Sequence, residues 1–242
     1  MNLIADGFAW LTDPANWTGA GSIPERLVEH LLVSLLILLI AGLIALPVGF
    51  TIGHTGRGKG LAVAVTGGMR AIPTLGLLTL AALWLGIGLA APILALVVLA
   101  IPPLLAGAYS GLESVDRRVL DAAKGVGMTG LQRFTGVELP LSAPIVIGGI
   151  RSAALQIIAT ATLAAYTSDF GLGRFLFRGL KTNDYAEAFG AAVLVIALAL
   201  LVDGLFALAQ RFSVPVGVRV ARSGEPTRSA ADRATGRTTT NV

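Results

Sequence analysis

Few side chains in this 242-residue sequence are of types that do covalent or acid–base chemistry. There is no cysteine, which excludes disulfides, thiolate nucleophiles and thiolate metal sites, and two histidines, His30 and His54, cannot build a metal cluster alone. The run His54-Thr-Gly-Arg-Gly-Lys-Gly60 invites comparison with a phosphate-binding loop, but the Gly-x-x-x-x-Gly-Lys-Ser/Thr spacing is absent and an apolar segment follows. Arg151 and Asp203 are the main ionisable residues inside long apolar runs, too few for a nucleophile or acid–base constellation. The sequence therefore predicts no catalytic residue, no metal site and no cofactor bound by this chain.

What stands out instead is a polar island between apolar runs, Asp121-Ala-Ala-Lys-Gly-Val-Gly127-Met-Thr-Gly-Leu-Gln-Arg-Phe-Thr-Gly-Val137-Glu-Leu139-Pro140. Val115, Val119, Ala122 and Val126 recur at helical spacing, opposite a face carrying Asp116, Arg117, Asp121 and Lys124. Gly127 permits a sharp turn. Thr129 and Gln132 have the spacing of a capping box, which predicts a second short helix displaying Leu131 and Phe134, and Pro140 fits the first turn of the helix that follows. Two short helices bent at a glycine would form a rigid plug, suited to a groove on another protein and to transmitting force.

The elements that must hold this plug follow from composition. Hydrophobic residues make up 55% of the chain and charged residues 13%, against about a quarter charged in soluble domains, so the sequence reads as an all-α membrane protein. A net charge of +4 could suggest nucleic acid, but in so apolar a chain basic residues mark cytoplasmic loops. Five spans are expected at about 30–53, 61–88, 90–109, 141–166 and 188–210, each long enough for a core of ~30 Å at 1.5 Å per residue. The second is interrupted at Gly67-Gly-Met-Arg-Ala-Ile-Pro73, with its first turns along the interface, and the third is broken at Pro102-Pro103. Broken helices are tolerated at depth where protein covers the freed backbone or a cavity faces it, which makes Pro73, Pro102 and Pro103 candidates for a pathway wall, with simple kinks as the alternative. The Gly148, Gly149, Ser152 and Ala153 positions offer small faces for close helix packing.

Residues 1–29 are acidic, carry Trp10 and Trp17, lack the basic start of a signal peptide and read as an external segment. Residues 30–212 form the membrane domain with the polar loop at about 113–140, and 167–187 is an outer loop. Residues 213–242 form a cytoplasmic tail, disordered from about 221. The excess of Lys and Arg on the side of the polar loop puts that loop and the C-terminus inside, with the N-terminus outside. Arg151 lies about ten residues beyond Leu141 and Asp203 about eight before Arg211, roughly 15 and 12 Å inward. A structural ion pair between them is expected; the alternatives are that Arg151 snorkels or pairs with Glu113 or Glu138, and that Asp203 faces a wet cavity.

The polar island resembles the motif of ABC importer permeases: acidic-Ala-Ala, three residues, Gly, nine residues, aliphatic, one residue, Leu-Pro. Asp121, Ala122, Ala123, Gly127, Val137, Leu139 and Pro140 fall in register, with Asp121 for the usual Glu and Val137 for the usual Ile. Arg70-Ala-Ile-Pro73-Thr-Leu-Gly, Gly86-Ile-Gly88, Ile101-Pro-Pro103, Tyr109-Ser-Gly-Leu, Glu138-Leu-Pro-Leu, Gly149-Ile-Arg151-Ser-Ala and Gly171-Leu-Gly173 are similar to the osmoprotectant permeases for glycine betaine, carnitine or choline, over about Leu27 to Gln210. Ala165-Tyr-Thr-Ser-Asp169 departs from that family's glycine-rich run. The resemblance implies the type I importer permease fold, a loop gripped by separate ATPase subunits that carry ATP and Mg, and a second permease subunit, identical or related. It further implies an extracytoplasmic solute-binding protein that carries any aromatic cage for a quaternary amine, and a bacterial or archaeal plasma membrane. Permeases for methionine or another amino acid share the motif, and a secondary transporter is the alternative of another class; the latter predicts transport by the isolated subunit and internal repeats, and no clear repeat is present.

Overall fold

The computed structural model describes residues 2–213; the tail expected to be disordered from about residue 221 lies outside the described residues. The described chain is a series of helices: α1 (Leu3–Thr12), α2 (Ile23–Thr55), α3 (Lys59–Ala71), α4 (Thr74–Leu85), α5 (Ala90–Glu113), α6 (Arg117–Gly125), α7 (Gly130–Arg133), α8 (Leu139–Thr160), α9 (Gly173–Thr182) and α10 (Tyr185–Phe212). Four helical stretches are long and apolar enough to cross a bilayer: Ile23–Thr55, Ala90–Glu113, Gly130–Tyr166 and Tyr185–Phe212. The pair α3 and α4 supplies a fifth if its two halves are taken as one span bent by 85°. The bend has a local cause. Ile72 precedes a proline and is extended (φ −72°, ψ 123°), and Pro73 at φ −66° caps the start of α4.

The centre of the subunit is the packing of α2 and α8 on α5. Backbones come close because small residues meet there. A Cβ on Gly49 would lie 2.5 Å from Ala108 Cβ and 2.9 Å from the Leu105 carbonyl, and one on Gly107 would lie 2.6 Å from Gly149 Cα. Ile37, Ala41, Ala45, Leu96, Leu104, Ala153 and Ile157 fill the spaces between them.

Four sequence expectations are corrected. First, α2 begins at Ile23 rather than 30, because Pro24 suits a first turn and the polar residues of the added turns find partners: Arg26 bonds the Asp169 carbonyl (2.8 Å) and Glu29 accepts from Gly171 N–H (3.0 Å). Ahead of it, Trp10 of α1 packs edge-on to Phe175 (5.3 Å) and against Gly190 of α10. Second, α5 is not broken at Pro102-Pro103. Both prolines are buried within one uninterrupted helix, with the Pro103 carbonyl close to Gly149 of α8, so neighbouring helices cover the lost backbone bonds. Third, the second short helix of the polar loop is not separate: α7 passes through a π-turn, Phe134–Glu138, straight into α8. Fourth, the outer loop at 167–187 contains α9, which ends at Asn183 in the left-handed region (φ 60°).

Candidate functional site

The loop from Glu113 to Pro140 is built from strong local signals. Asp116 caps α6 by accepting from Arg118 N–H at 2.9 Å. At the other end of α6 the Met128 N–H donates to the Ala123 carbonyl (3.1 Å) and the Gly127 N–H to the Lys124 carbonyl (2.9 Å). These are the two bonds of a Schellman cap, and they require a left-handed residue, here Gly127 at φ +84°. Two residues later the capping box forms in full: Thr129 Oγ1 accepts from Gln132 N–H, and Gln132 Oε1 accepts from Thr129 N–H. The hairpin therefore has one defined angle, set at Gly127.

Its surface is suited to binding. Asp121 and Ala122 are exposed and Ala123 is buried beneath them; Val137 and Leu139 are half-buried and Pro140 is exposed. Two large apolar side chains, Val126 at 80% and Leu131 at 72%, stand out in solvent on either side of the glycine. Around them Arg117, Arg118 and Lys124 supply positive charge, Lys124 bridging back to Asp121 at 3.1 Å. An exposed apolar pair ringed by charge is the pattern of a protein contact.

The base of the hairpin is a buried carboxylate that the sequence offers only as an alternative partner for Arg151. Glu138, 3% exposed, accepts from Arg133 Nε at 2.9 Å through one oxygen and lies 2.5 Å from His54 Nδ1 through the other. Phe134 packs edge-on to both His54 and Phe50, each at 5.8 Å. The available signal was a matched spacing: Phe50 and His54 stand four apart on α2, as Phe134 and Glu138 stand four apart at the foot of the hairpin. Beside these contacts lies an open cleft of about 550 Å³ lined by Pro47, Phe50, Thr51, His54, Leu131 and Phe134. Lys59 pairs with Glu113 at 2.7 Å. Glu113 and Glu138 are thus both engaged elsewhere, and neither pairs with Arg151.

Arg151 meets Asp203 instead. Nε lies 2.6 Å from Oδ1 and Nη2 2.7 Å from Oδ2, joining α8 to α10. Of the prolines, Pro73 is exposed at the bend between α3 and α4, whereas Pro102 and Pro103 are buried. Among the described residues no group of three His, Asp or Glu could hold a metal ion.

With the geometry in hand, comparisons with known proteins converge. The chain is 32% identical over 202 residues, 84% of its length and 93% of the relative's, to the choline transport system permease protein OpuBB of Bacillus subtilis. It is 32% identical over 196 residues (81% and 90%) to the carnitine transport permease protein OpuCB of Listeria monocytogenes, and 29% identical over 208 residues (83% and 95%) to the osmoprotectant import permease protein OsmW of Salmonella typhimurium. Among solved structures, a chain of the MetNI methionine ABC transporter in an inward-facing conformation superposes with a TM-score of 0.72, covering 84% of this chain and 100% of that one; at 20% identity this bears on the fold alone. That fold is the all-α, multi-pass architecture of the type I ABC importer permeases. Residues 40–215 match the family described as binding-protein-dependent transport system inner membrane component. The chain belongs to that family, the membrane permease subunits of binding-protein-dependent transport systems.

Proposed function

We propose that this chain is the permease subunit of an ATP-driven importer and forms the translocation pathway for a quaternary-amine osmoprotectant such as glycine betaine, carnitine or choline. The observation that carries the reading is the exposed, rigidly capped hairpin of α6 and α7 in a chain 32% identical over 84% of its length to a choline transport permease. In this reading Asp121, Ala122, Ala123, Gly127, Val137, Leu139 and Pro140 form the surface gripped by a separate ATPase, where ATP and Mg are bound. A second permease subunit, identical or related, completes the pathway, and a soluble binding protein delivers solute from outside. The hairpin and C-terminus lie in the cytoplasm and the N-terminus outside. Pro73, exposed at the bend, contributes to the pathway wall; Pro102 and Pro103 support it from the packed interior.

The test is uptake into proteoliposomes that hold the chain together with its ATPase, with the binding protein added outside. ATP-dependent uptake of labelled glycine betaine, carnitine or choline supports the assignment. Uptake of methionine in their place would transfer it to amino-acid import, and uptake by the chain alone, driven by an ion gradient, would make it a secondary transporter.

A further inference from the structure

Five residues fasten the foot of the hairpin to the end of the first long helix. Glu138 ends the π-turn that joins α7 to α8, and its buried carboxylate is held on one side by Arg133 of the hairpin and on the other by His54 of α2. Phe134, one turn earlier, presents its ring edge-on to His54 and Phe50. His54 is thus the meeting point of a hydrogen bond and an aromatic contact, 84 residues from Glu138 in sequence.

Two features of the surroundings make this more than packing. A π-turn is a weak point in a helix and is frequent at functional sites, because one extra residue per turn lets the helix on either side shift. Here it falls between the exposed hairpin and the membrane part of α8. On α2 the same level is followed by Gly56 at φ +69° and Gly58 at φ +83°, which end the helix and separate it from α3. A displacement of α7 can therefore be absorbed at the π-turn before α8, but it is passed to α2 through the short, part-buried contact between Glu138 and His54. Beside it, the open cleft between α2 and α7 leaves room for relative movement, so the Glu138 and Phe134 contacts are what hold the two helices together there.

We propose that His54 is a positioning residue for energy coupling: it transmits movement of the α6–α7 hairpin to α2, which packs along α5 at the centre of the subunit. The inference rests on the assignment of the hairpin as the ATPase-binding surface. It makes a demand that a merely structural role does not. Loosening the contact raises the ATP hydrolysed per solute imported, whereas damage to the fold lowers hydrolysis stimulation and import together and leaves their ratio unchanged.

The experiment measures that ratio in proteoliposomes holding the complete complex, for wild type, His54→Ala and His54→Asn. Asparagine places an amide nitrogen close to the position of histidine Nδ1, so it restores the bond to Glu138 while removing the ring. Glu138→Gln keeps the planar shape of the carboxylate and removes its charge, and gives a second reading should His54→Ala fail to accumulate. Expected is a ratio raised about tenfold in His54→Ala, the size of effect typical of residues along a coupling path, raised likewise in Glu138→Gln, and returned to within about twofold of wild type in His54→Asn. A wild-type ratio in His54→Ala or in Glu138→Gln overturns the proposal, as does a defect that His54→Asn leaves unrelieved. Failure of the wild-type complex to import with ATP is a different result, which removes the permease assignment rather than this step.

Discussion

The Arg151 guanidinium and the Asp203 carboxylate lie fork to fork, with Nε and Nη2 each donating to a separate oxygen at 2.6 and 2.7 Å. This bidentate geometry, together with the Gln210 amide donating to the Pro144 carbonyl at 2.8 Å, fixes the rotation of α8 against α10, and it neutralises two charges set in apolar runs. Arg151→Ala and Asp203→Ala are each expected to reduce the folded protein recovered from the membrane, and the double mutant is expected to lose no more than the worse single one. The check is a double-mutant cycle on thermal unfolding of the purified protein. Additive losses, or a charge-swapped pair no better than either single change, would count against a structural role.

Packing at the centre depends on two glycines, Gly107 and Gly149, that let α5 and α8 touch through backbone. A side chain at 149 would meet Gly107 Cα at 2.7 Å and the Pro103 carbonyl at 3.1 Å, neither of which can rotate away. Gly149→Leu is expected to cost about 3 kcal/mol or more, at the upper end for overpacking. Gly148→Ala is the control on the same helix, because its Cβ would meet no backbone, only the Gln210 side-chain amide at 3.3 Å, whose bond to the Pro144 carbonyl need shift by only a few tenths of an ångström. It is expected to stay within about 0.5 kcal/mol of wild type by thermal unfolding.

Much of this architecture is legible from local signals. The Thr129 and Gln132 capping box, the turn at Gly127 and the bend at Pro73 each follow from a residue type whose backbone preference outweighs its context. What escapes such reading depends on distant partners. Arg26 and Glu29 look like loop residues until Asp169 and Gly171, more than 140 residues away, satisfy them and allow α2 to start early. Pro102-Pro103 reads as a break because the helices that cover it are not visible in sequence. Helix α9 is too short and too basic to announce itself. His54 and Glu138 are individually unremarkable, and their pairing exists only once α2 and α8 are set side by side.

Gly127 offers a cleaner prediction than most loop glycines, since nothing lies within 4 Å of a Cβ built there. Any penalty is then backbone strain alone, about 1–2 kcal/mol for an L-residue in the left-handed region and less for asparagine. That strain falls on the hairpin angle rather than on the membrane fold. Gly127→Leu is expected to reach the membrane at normal levels yet bind the ATPase weakly or uncouple hydrolysis from uptake, with Gly127→Asn intermediate. Co-purification of the ATPase with each variant is the measurement, and full uptake by Gly127→Leu would refute a role in setting the angle.

The opposite end of the subunit has its own fastening at Gly171, which combines both kinds of constraint. It is left-handed at φ +62°, and a Cβ there would lie 3.0 Å from His30 Nδ1 and 3.4 Å from His30 Cα on α2. Its N–H donates to Glu29, while the carbonyl of nearby Asp169 accepts from Arg26, so the turn between the Ala161–Tyr166 helix and α9 is bound directly to the first turns of α2. Strain and crowding should add, because relieving one by rotating the turn breaks the bonds that hold it. Gly171→Ala is therefore expected to destabilise by about 3 kcal/mol or more, against about 1–2 for strain by itself. In a His30→Ala background, which removes the Nδ1 contact but keeps Cβ at 3.3 Å and Cα at 3.4 Å, the same substitution at Gly171 should cost less, yet still more than strain by itself. If Gly171→Ala unfolds at the wild-type temperature, the turn is not held against α2 in this way.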